Sequence, residues 1–235
     1  MNDEGDTKSI PWRPGSFLHS LGPDSRARLL RLGTRRRFPA NDALVHSGDT
    51  SDNVFVILAG IVKIEATDPL GRAVTLALRG PGDAVGELAA LTEETRSATI
   101  RAALDTAVVT ITNADFRQFL IDDPFAGFAL TKMIAKRLSA ANQQRVSLGS
   151  QNVIARLANV LGMLADAFGE QRADGVVIAV PISQSELASM IGAAEVSTQK
   201  ALRTLRDQGV VQVGYRRIMI SSRDHLDAMA HPGEQ

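Results

Sequence analysis

Residues 82–99 read GDAVGELAALTEETRSAT, and they combine two glycines with charged and hydroxyl side chains. A glycine and a carboxylate, Gly86 and Glu87, are followed by an arginine and a serine, Arg96 and Ser97. Arginine offers forked, charge-assisted hydrogen bonds to the oxygens of a compact anion. Glycine lets the backbone come close, and the amides of residues 86–88 can form an anion nest. These residue types suit a compact anion, but an isolated glutamate and arginine more often simply pair with each other.

Short apolar runs broken by turn residues surround this stretch, from about residue 35 to residue 112. Runs such as Val54 to Leu58 and Val74 to Leu78 are separated by turns such as Asp68-Pro69-Leu70-Gly71, in which proline sets φ and glycine takes a positive φ. Short strands with such punctuation predict a β-barrel or sandwich. The polar residues 1–20 predict a disordered tail.

A long helix is predicted after the barrel, because residues 125–148 contain no proline and no glycine after Gly127. Apolar residues recur there at spacings of about three or four, and the helix would be roughly 35 Å long. These apolar positions are Leu130, Ile134, Leu138, Ala141 and Leu148. A hinge is then predicted at Leu148, Gly149, Ser150 and Asn152, with Asn152 as the N-cap of the next helix.

The bulk composition excludes several classes of protein. The 235 residues have a formal net charge of +0 and no cysteine, so disulfides and thiolate metal sites are excluded, and a reducing cytoplasm is expected. No apolar run approaches the roughly 20 residues that span a bilayer. There is no nucleotide-phosphate loop, no metal-ligand spacing and no nucleophile with an evident base. We therefore expect no catalytic or metal site and no enzyme.

The stretch at 82–99 resembles the phosphate-binding cassette of cyclic-nucleotide-binding domains. The order of cassette, long helix and helix-turn-helix is similar to that of the Crp/Fnr family of transcription regulators, from about Leu21 to Ser221. The resemblance implies an α+β fold with a double-stranded β-helix, or jelly-roll, as its cyclic-nucleotide-binding barrel. The implied division is a barrel at 21–123, a dimerisation helix at 124–149, a winged helix-turn-helix at 150–225 and a tail at 226–235.

The resemblance also implies a ligand. Arg96 and the nearby amides would hold the ring phosphate, Glu87 would accept from the ribose 2′-hydroxyl, and Ser97 would add a donor. The expected effector is a cyclic nucleotide, and cyclic AMP is the preferred candidate. No cofactor is expected. The predicted ligand residues are Gly86, Glu87, Leu88, Arg96, Ser97 and Asn142. The alternative is that Glu87 and Arg96 merely pair on the barrel rim.

The positions that would contact the base depart from the family pattern. Where the resemblance implies a threonine–serine pair contacting adenine, this sequence has Ala141 and Asn142. Ala141 has no hydroxyl, whereas the amide of Asn142 offers both a donor and an acceptor to an adenine edge. Asn142 could equally be a polar seam residue that fixes helix register.

Residues 182–213 resemble a winged helix-turn-helix, in which the second helix enters the major groove. Local basic charge supports DNA binding despite the neutral chain. The predicted DNA contacts are Ser183, Gln184, Glu195, Val196, Ser197, Thr198, Gln199, Lys200, Arg203, Arg216 and Arg217. The family pattern has a serine cap and then an arginine at the start of this helix, where this chain has Ala194 and Glu195. A different operator is therefore expected. A three-helix module without DNA is the alternative.

The expected partners follow from two-fold symmetry and from the resemblance. They are a second copy of the chain, double-stranded DNA with near-palindromic half-sites about one helical turn apart, and RNA polymerase, but no membrane. Ligand at the barrel would reorient the DNA-reading units through the hinge. Two alternatives stay open: a barrel that binds a different effector or none, and, more weakly, a haem sensor, for which the four histidines show no proximal-ligand signature.

Overall fold

The computed structural model of the chain describes residues 12–214 and 217–231. Its N-terminal part is a barrel of two four-stranded sheets. The barrel strands are β1 Thr34–Phe38, β2 Ala43–Val45, β3 Asn53–Ala59, β4 Val62–Thr67, β5 Ala73–Arg79, β6 Ala84–Val85, β7 Thr99–Ala102 and β8 Thr106–Thr112. The sheet orders are β1-β8-β3-β6 and β2-β7-β4-β5, with antiparallel neighbours throughout. Such a pair of sheets is the predicted jelly-roll.

Five helices accompany these strands among the described residues: α1 Phe17–Ser20, α2 Pro23–Arg31, α3 Glu87–Thr92, α4 Asn113–Asp122 and α5 Pro124–Ser150. The long helix α5 begins at Pro124, a residue suited to the first helical turn, and Asp123 caps it by accepting from the amide of Ala126 at 3.1 Å. Its first half buries Leu130 and Met133 against the barrel. The barrel therefore supports the N-terminal half of the helix.

The C-terminal unit is a helix-turn-helix with a small sheet. Its elements are α6 Val153–Phe168, β9 Gly169–Arg172, β10 Gly175–Ile178, α7 Gln184–Met190, α8 Glu195–Asp207, β11 Val211–Gly214, β12 Arg217–Ile220 and α9 Arg223–Ala230. The sheet order is β11-β12-β10-β9, and Leu157, Leu161, Leu187 and Leu205 lie in the core beneath it. The predicted fold of barrel, long helix and winged helix-turn-helix is confirmed.

Both predicted tails need correction. Within residues 12–20, Phe17 and Leu18 are fully buried, and the Phe17 ring meets Phe116 edge-on at 6.3 Å. Ser16 caps this short helix by accepting from the amide of His19. Two adjacent apolar side chains behind a cap order this segment in spite of the polar residues that precede it. At the other end, Leu226 is buried, so residues 226–230 complete a helix; residues 1–11 and 232–235 lie outside the described residues.

The predicted hinge is also too long. Leu148, Gly149 and Ser150 are helical, since α5 continues to Ser150. The break is confined to Gln151, which is extended, and to Asn152, which caps α6 by accepting from the amide of Ala155 at 2.9 Å. A single glycine weakens a helix without ending it, whereas a cap of the next helix forces an extended residue.

Candidate effector cavity and DNA-reading unit

The cassette turns sharply at Gly86. Strand β6 ends at Val85, and Gly86 then takes a left-handed conformation, φ +79°, before α3 begins at Glu87. A Cβ on residue 86 would lie 2.8 Å from Nη1 of Arg96 and 3.1 Å from the Asn53 carbonyl oxygen. Only glycine satisfies both the backbone conformation and the close approach.

Arg96 is held in place by the protein's own backbone. Its side chain donates from Nη1 to the Gly86 carbonyl at 2.9 Å, from Nη2 to the Asn53 carbonyl at 2.6 Å, and from Nε to the Ser51 hydroxyl at 3.3 Å. A guanidinium has five N–H donors, so two remain available. Arg96 is 3% exposed, yet it lines the cavity. Burial lowers the pKa of Arg96, against the opposing effect of Asp52, but the group stays charged. The protein's own backbone therefore anchors and orients Arg96.

Glu87 does not pair with Arg96 but with an arginine from the long helix. Nη1 of Arg137 donates to Oε1 of Glu87 at 2.7 Å, and Nη2 donates to the Ala84 carbonyl at 3.0 Å. Glu87 is buried, and Asp83 lies 3.7 Å from the same guanidinium. The sequence interpretation missed Arg137. It lies four residues after Met133 and seven after Leu130, on the buried face of α5, and a charge at that spacing was the available signal.

The cavity between the barrel and α5 has a volume of about 540 Å³ and an excess of positive charge. Its ionisable lining consists of Arg13, Arg79, Arg96, Lys136 and Arg137, with Asp83 and Glu87 as the acids. Burial, and then the neighbouring Arg137, lowers the pKa of Arg79 to about 10. The predicted ligand residues Leu88 and Ser97 also line this cavity. Such a lining favours an anionic ligand of ordinary small-molecule size.

Asn142 is not part of the cavity within its own chain. Ala141 lines the cavity, whereas Asn142 is exposed and lines a separate groove beside Leu138 and Val146. Successive helix residues differ by 100° in direction, so the two neighbours cannot both face the barrel. The prediction that Asn142 joins the other ligand residues is therefore wrong for a single chain.

The DNA-reading unit carries the predicted capping box at the start of α7. The Ser183 hydroxyl accepts from the Glu186 amide at 3.1 Å, and the Ser183 amide donates to Oε2 of Glu186 at 2.7 Å. The second helix, α8, begins at Glu195 after Ala194, which provides no side-chain cap. Its exposed predicted residues are Glu195, Val196, Gln199, Lys200 and Arg203.

One predicted reader lies in the core. Thr198 is fully buried, and its hydroxyl donates to the Ala194 carbonyl at 3.2 Å. It shares a face with the buried Ala201, Leu202 and Leu205, at spacings of three, four and seven. The prediction that Thr198 contacts DNA is therefore wrong. The remaining predicted contacts fall as follows: Ser183, Gln184 and Arg217 are exposed, Ser197 is half-buried, and Arg216 lies outside the described residues.

The described residues contain neither a membrane-spanning helix nor a metal-ligand cluster. Between residues 12 and 231, apart from 215 and 216, the helices include none with the length and apolar character needed to cross a membrane. Over the same residues, His, Asp and Glu side chains form no cluster of three suited to a metal ion.

Comparison with known proteins matches each unit of the chain. Residues 35–123 match the cyclic nucleotide-binding domain, and residues 155–229 match the Crp-like helix-turn-helix domain. The CRP-like cAMP-activated global transcriptional regulator of Mycobacterium tuberculosis is 27% identical over 214 residues, 91% of this chain and 95% of that protein. The cyclic AMP receptor protein of Thermus thermophilus is 26% identical and covers 91% of this chain and 96% of its own length.

Among solved structures, FixK2 from Bradyrhizobium japonicum superposes with a TM-score of 0.75, at 20% identity, over 86% of this chain and 98% of that chain. At that identity the likeness shows the fold alone. The two domains match in this order, and the relatives cover nearly the whole chain. The chain therefore belongs to the Crp/Fnr family of DNA-binding transcription regulators.

Proposed function

We propose that this chain is a cytoplasmic homodimer, and that a cyclic nucleotide bound in the barrel sets its affinity for operator DNA. Cyclic AMP is the proposed nucleotide. The anchored guanidinium of Arg96 is the observation that carries the proposal. Three of its five N–H groups bond Ser51, Gly86 and Asn53, and Arg96 is one of the residues that line a cavity with excess positive charge. The names of the two curated relatives, one cAMP-activated and one a cyclic AMP receptor, support the choice of cyclic AMP.

Glu87 and Arg137 would hold the sugar in this proposal. A ribose 2′-hydroxyl can donate to the Glu87 carboxylate, since a carboxylate accepts at several sites while it keeps its bond from Arg137. Ser97 would add a hydroxyl donor to the phosphate, and the amides near Leu88 would complete the nest. The proposed ligand set is thus Gly86, Glu87, Leu88, Arg96, Ser97 and Arg137.

The dimer is proposed from the exposed apolar side chains of α5. Phe125 is 87% exposed, and Phe128, Leu138 and Val146 are exposed as well. Helical spacing directs them to one side of the helix, and Asn142 lies among them as a polar residue able to set register. A second copy packed there would place two α8 helices for a near-palindromic operator. RNA polymerase remains a proposed partner of that complex.

In this proposal the barrel spans 21–123, α5 is the dimerisation helix, and α6 begins the DNA-reading unit. The proposed readers are Glu195, Val196, Ser197, Gln199, Lys200 and Arg203, with Ser183 and Gln184 at phosphates and Arg216 and Arg217 in the wing.

A different effector, or none, is the second candidate. It is favoured by Ala141, which faces the cavity without a hydrogen-bonding side chain, and by Asn142, which faces away from it. Within one chain this leaves the base without the amide contact that the sequence analysis assigned to Asn142.

A binding experiment separates cyclic AMP gating from the second candidate. A DNA duplex is first selected from a random pool with the wild-type protein and labelled with a fluorophore, and its affinity for the protein is then measured by fluorescence anisotropy. The proposal expects cyclic AMP to raise the DNA affinity at least tenfold. Unchanged affinity at saturating cyclic AMP and cyclic GMP would favour the second candidate.

A further inference from the structure

Arg79 is a cavity arginine to which the proposed function gives no role. It is the last residue of β5, and it projects from the same face of that strand as Ala77, because side chains alternate along a strand. Both residues line the effector cavity. The barrel strand therefore presents the guanidinium of Arg79 to the cavity.

The two acids of the cavity lining are already paired with other arginines. Nη2 of Arg13 lies 2.7 Å from Oδ2 of Asp83, and the side chain of Asp83 is almost fully buried. Oε1 of Glu87 accepts from Nη1 of Arg137 at 2.7 Å. Each carboxylate thus has its own arginine, and any further cation in the lining needs a negative charge from another source.

Arg79 is such a cation. Nη1 of Arg79 donates to the carbonyl of Leu78, the preceding residue, at 2.8 Å. Within residues 12–214 and 217–231, no carboxylate forms an ion pair with Arg79 as Asp83 does with Arg13. A positive charge at the cavity wall is therefore left without a matching acid.

The electrostatics of Arg79 agree with this geometry. Burial first, and then the like charges of Arg137 and Arg13, lower the pKa of Arg79 to about 10, in spite of Asp83 and Glu87. Arg79 is still protonated at neutral pH. A bound anion would stabilise it, because an opposite charge nearby favours the charged form.

A cyclic monophosphate does not match the charge of this cavity. The lining has five cations and two acids, so its positive charges exceed its negative charges by three. The ring phosphate of cyclic AMP brings one negative charge, and its proposed partner is Arg96. The cavity therefore favours a second anion in addition to that phosphate.

The space around Arg79 extends beyond the first cavity. Arg13 and Arg79 also line an adjoining cavity of about 740 Å³ between the barrel, α5 and α6. Asp166, the carboxylate of that second lining, accepts from both terminal nitrogens of Arg223, at 2.5 and 3.2 Å. The acid of the adjoining cavity is thus paired as well, and Arg79 lies where the two cavities meet.

We propose that Arg79, with Arg13 beside it, forms a second phosphate subsite at the junction of these two cavities. A guanidinium binds phosphate oxygens through forked, charge-assisted hydrogen bonds. The phosphate is either inorganic phosphate bound beside cyclic AMP or the second phosphate of a single ligand that also reaches Arg96. The inference rests on the proposed function for the ligand at Arg96, whereas the subsite itself requires only an anion.

Arg79→Met tests the subsite, because methionine removes the charge and keeps an unbranched stem. Three probes are titrated in phosphate-free buffer: cyclic AMP, a cyclic dinucleotide, and inorganic phosphate with and without saturating cyclic AMP. We expect wild type to bind the dinucleotide or inorganic phosphate, and Arg79→Met to bind that probe at least tenfold more weakly. The affinity for cyclic AMP alone should stay within about threefold of wild type, since Arg96 is unchanged.

Arg72→Met is the matched control. Arg72 pairs with Asp68 at the turn between β4 and β5, and it lies outside the cavity lining. It should bind all three probes like wild type. Arg79→Gln is the second variant, and it keeps the test decisive if Arg79→Met does not fold.

The probes also distinguish the two sources of phosphate. Dependence on Arg79 for the dinucleotide alone identifies the second phosphate of one ligand, and dependence for inorganic phosphate alone identifies the free anion. Equal affinity of wild type and a folded Arg79 variant for both probes, or no binding of either by wild type, would overturn the subsite. If cyclic AMP still binds in that case, the proposed function stands without the subsite. If phosphate binding depends on Arg79 and cyclic AMP does not bind, the subsite stands and cyclic AMP gating fails.

Discussion

The carbonyl oxygen of Gly86 accepts from Nη1 of Arg96 at 2.9 Å, and the missing side chain of Gly86 leaves the room that this guanidinium occupies. The two residues therefore act as one unit: the glycine turn orients the arginine, and the arginine ties the turn to β3 through the Asn53 carbonyl. Preorganisation of this kind favours ligand binding because the donor is ordered before the ligand arrives.

Gly86→Ala should disrupt that unit. A left-handed alanine costs about 1–2 kcal/mol, and its Cβ would displace the Arg96 guanidinium. We expect at least a tenfold loss of cyclic AMP affinity by calorimetry, beyond the loss of stability.

Gly71→Ala is the control for Gly86→Ala. Gly71 has the same φ of +79° at an open hairpin turn. It should lower stability by a similar amount with ligand affinity unchanged. Equal ligand affinity in the two variants would show that Gly86 serves only the backbone.

Lys200 tests the reading face of α8. It is exposed on that helix, so Lys200→Ala should weaken specific DNA binding by about 1–3 kcal/mol if Lys200 contacts a base, or reduce the salt dependence if it contacts phosphate. Anisotropy titrations at several salt concentrations distinguish the two.

Arg206→Ala is the comparison for Lys200→Ala, because Arg206 lies near the end of α8 and pairs with Asp207 at 3.1 Å. It should bind DNA like wild type. An unchanged affinity and salt slope for Lys200→Ala would mean that another face of the unit reads DNA.

Leu138→Glu tests the proposed dimer. Leu138 is 61% exposed on α5, and a two-fold interface would bring the two introduced carboxylates together without a partner. Sedimentation equilibrium should give a monomer at micromolar concentration, with operator binding lost.

Leu70→Glu, at a hairpin turn with Leu70 76% exposed, is the matched control for Leu138→Glu and should leave assembly unchanged. A dimeric Leu138→Glu protein would exclude this face of α5 as the interface.

Patterns within short windows predicted much of this molecule. The turn residues between short apolar runs gave the barrel, the Ser183–Glu186 capping box gave the start of α7, and Asn152 gave the start of α6, because each depends on neighbours in the chain. Gly86, Arg96 and Ser97, which the family resemblance groups in one cassette, line one cavity.

The misses have two causes. Arg137 and Glu87 are 50 residues apart, and Lys63 and Glu186 are farther apart still, so only the packed fold pairs them. Thr198 is buried because α8 turns its apolar face inward, and polar composition alone did not reveal that orientation.

Calorimetric titration of the purified protein with cyclic AMP, beside Arg96→Leu, tests the central claim most directly. Arg101→Leu is the matched control, a partly buried barrel arginine that bonds Glu65 and lies outside the cavity lining. We predict one site per chain in wild type and Arg101→Leu, and no measurable binding by Arg96→Leu with its circular dichroism unchanged. Equal affinity in wild type and a folded Arg96→Leu, or no binding of any cyclic nucleotide by wild type, would contradict the account.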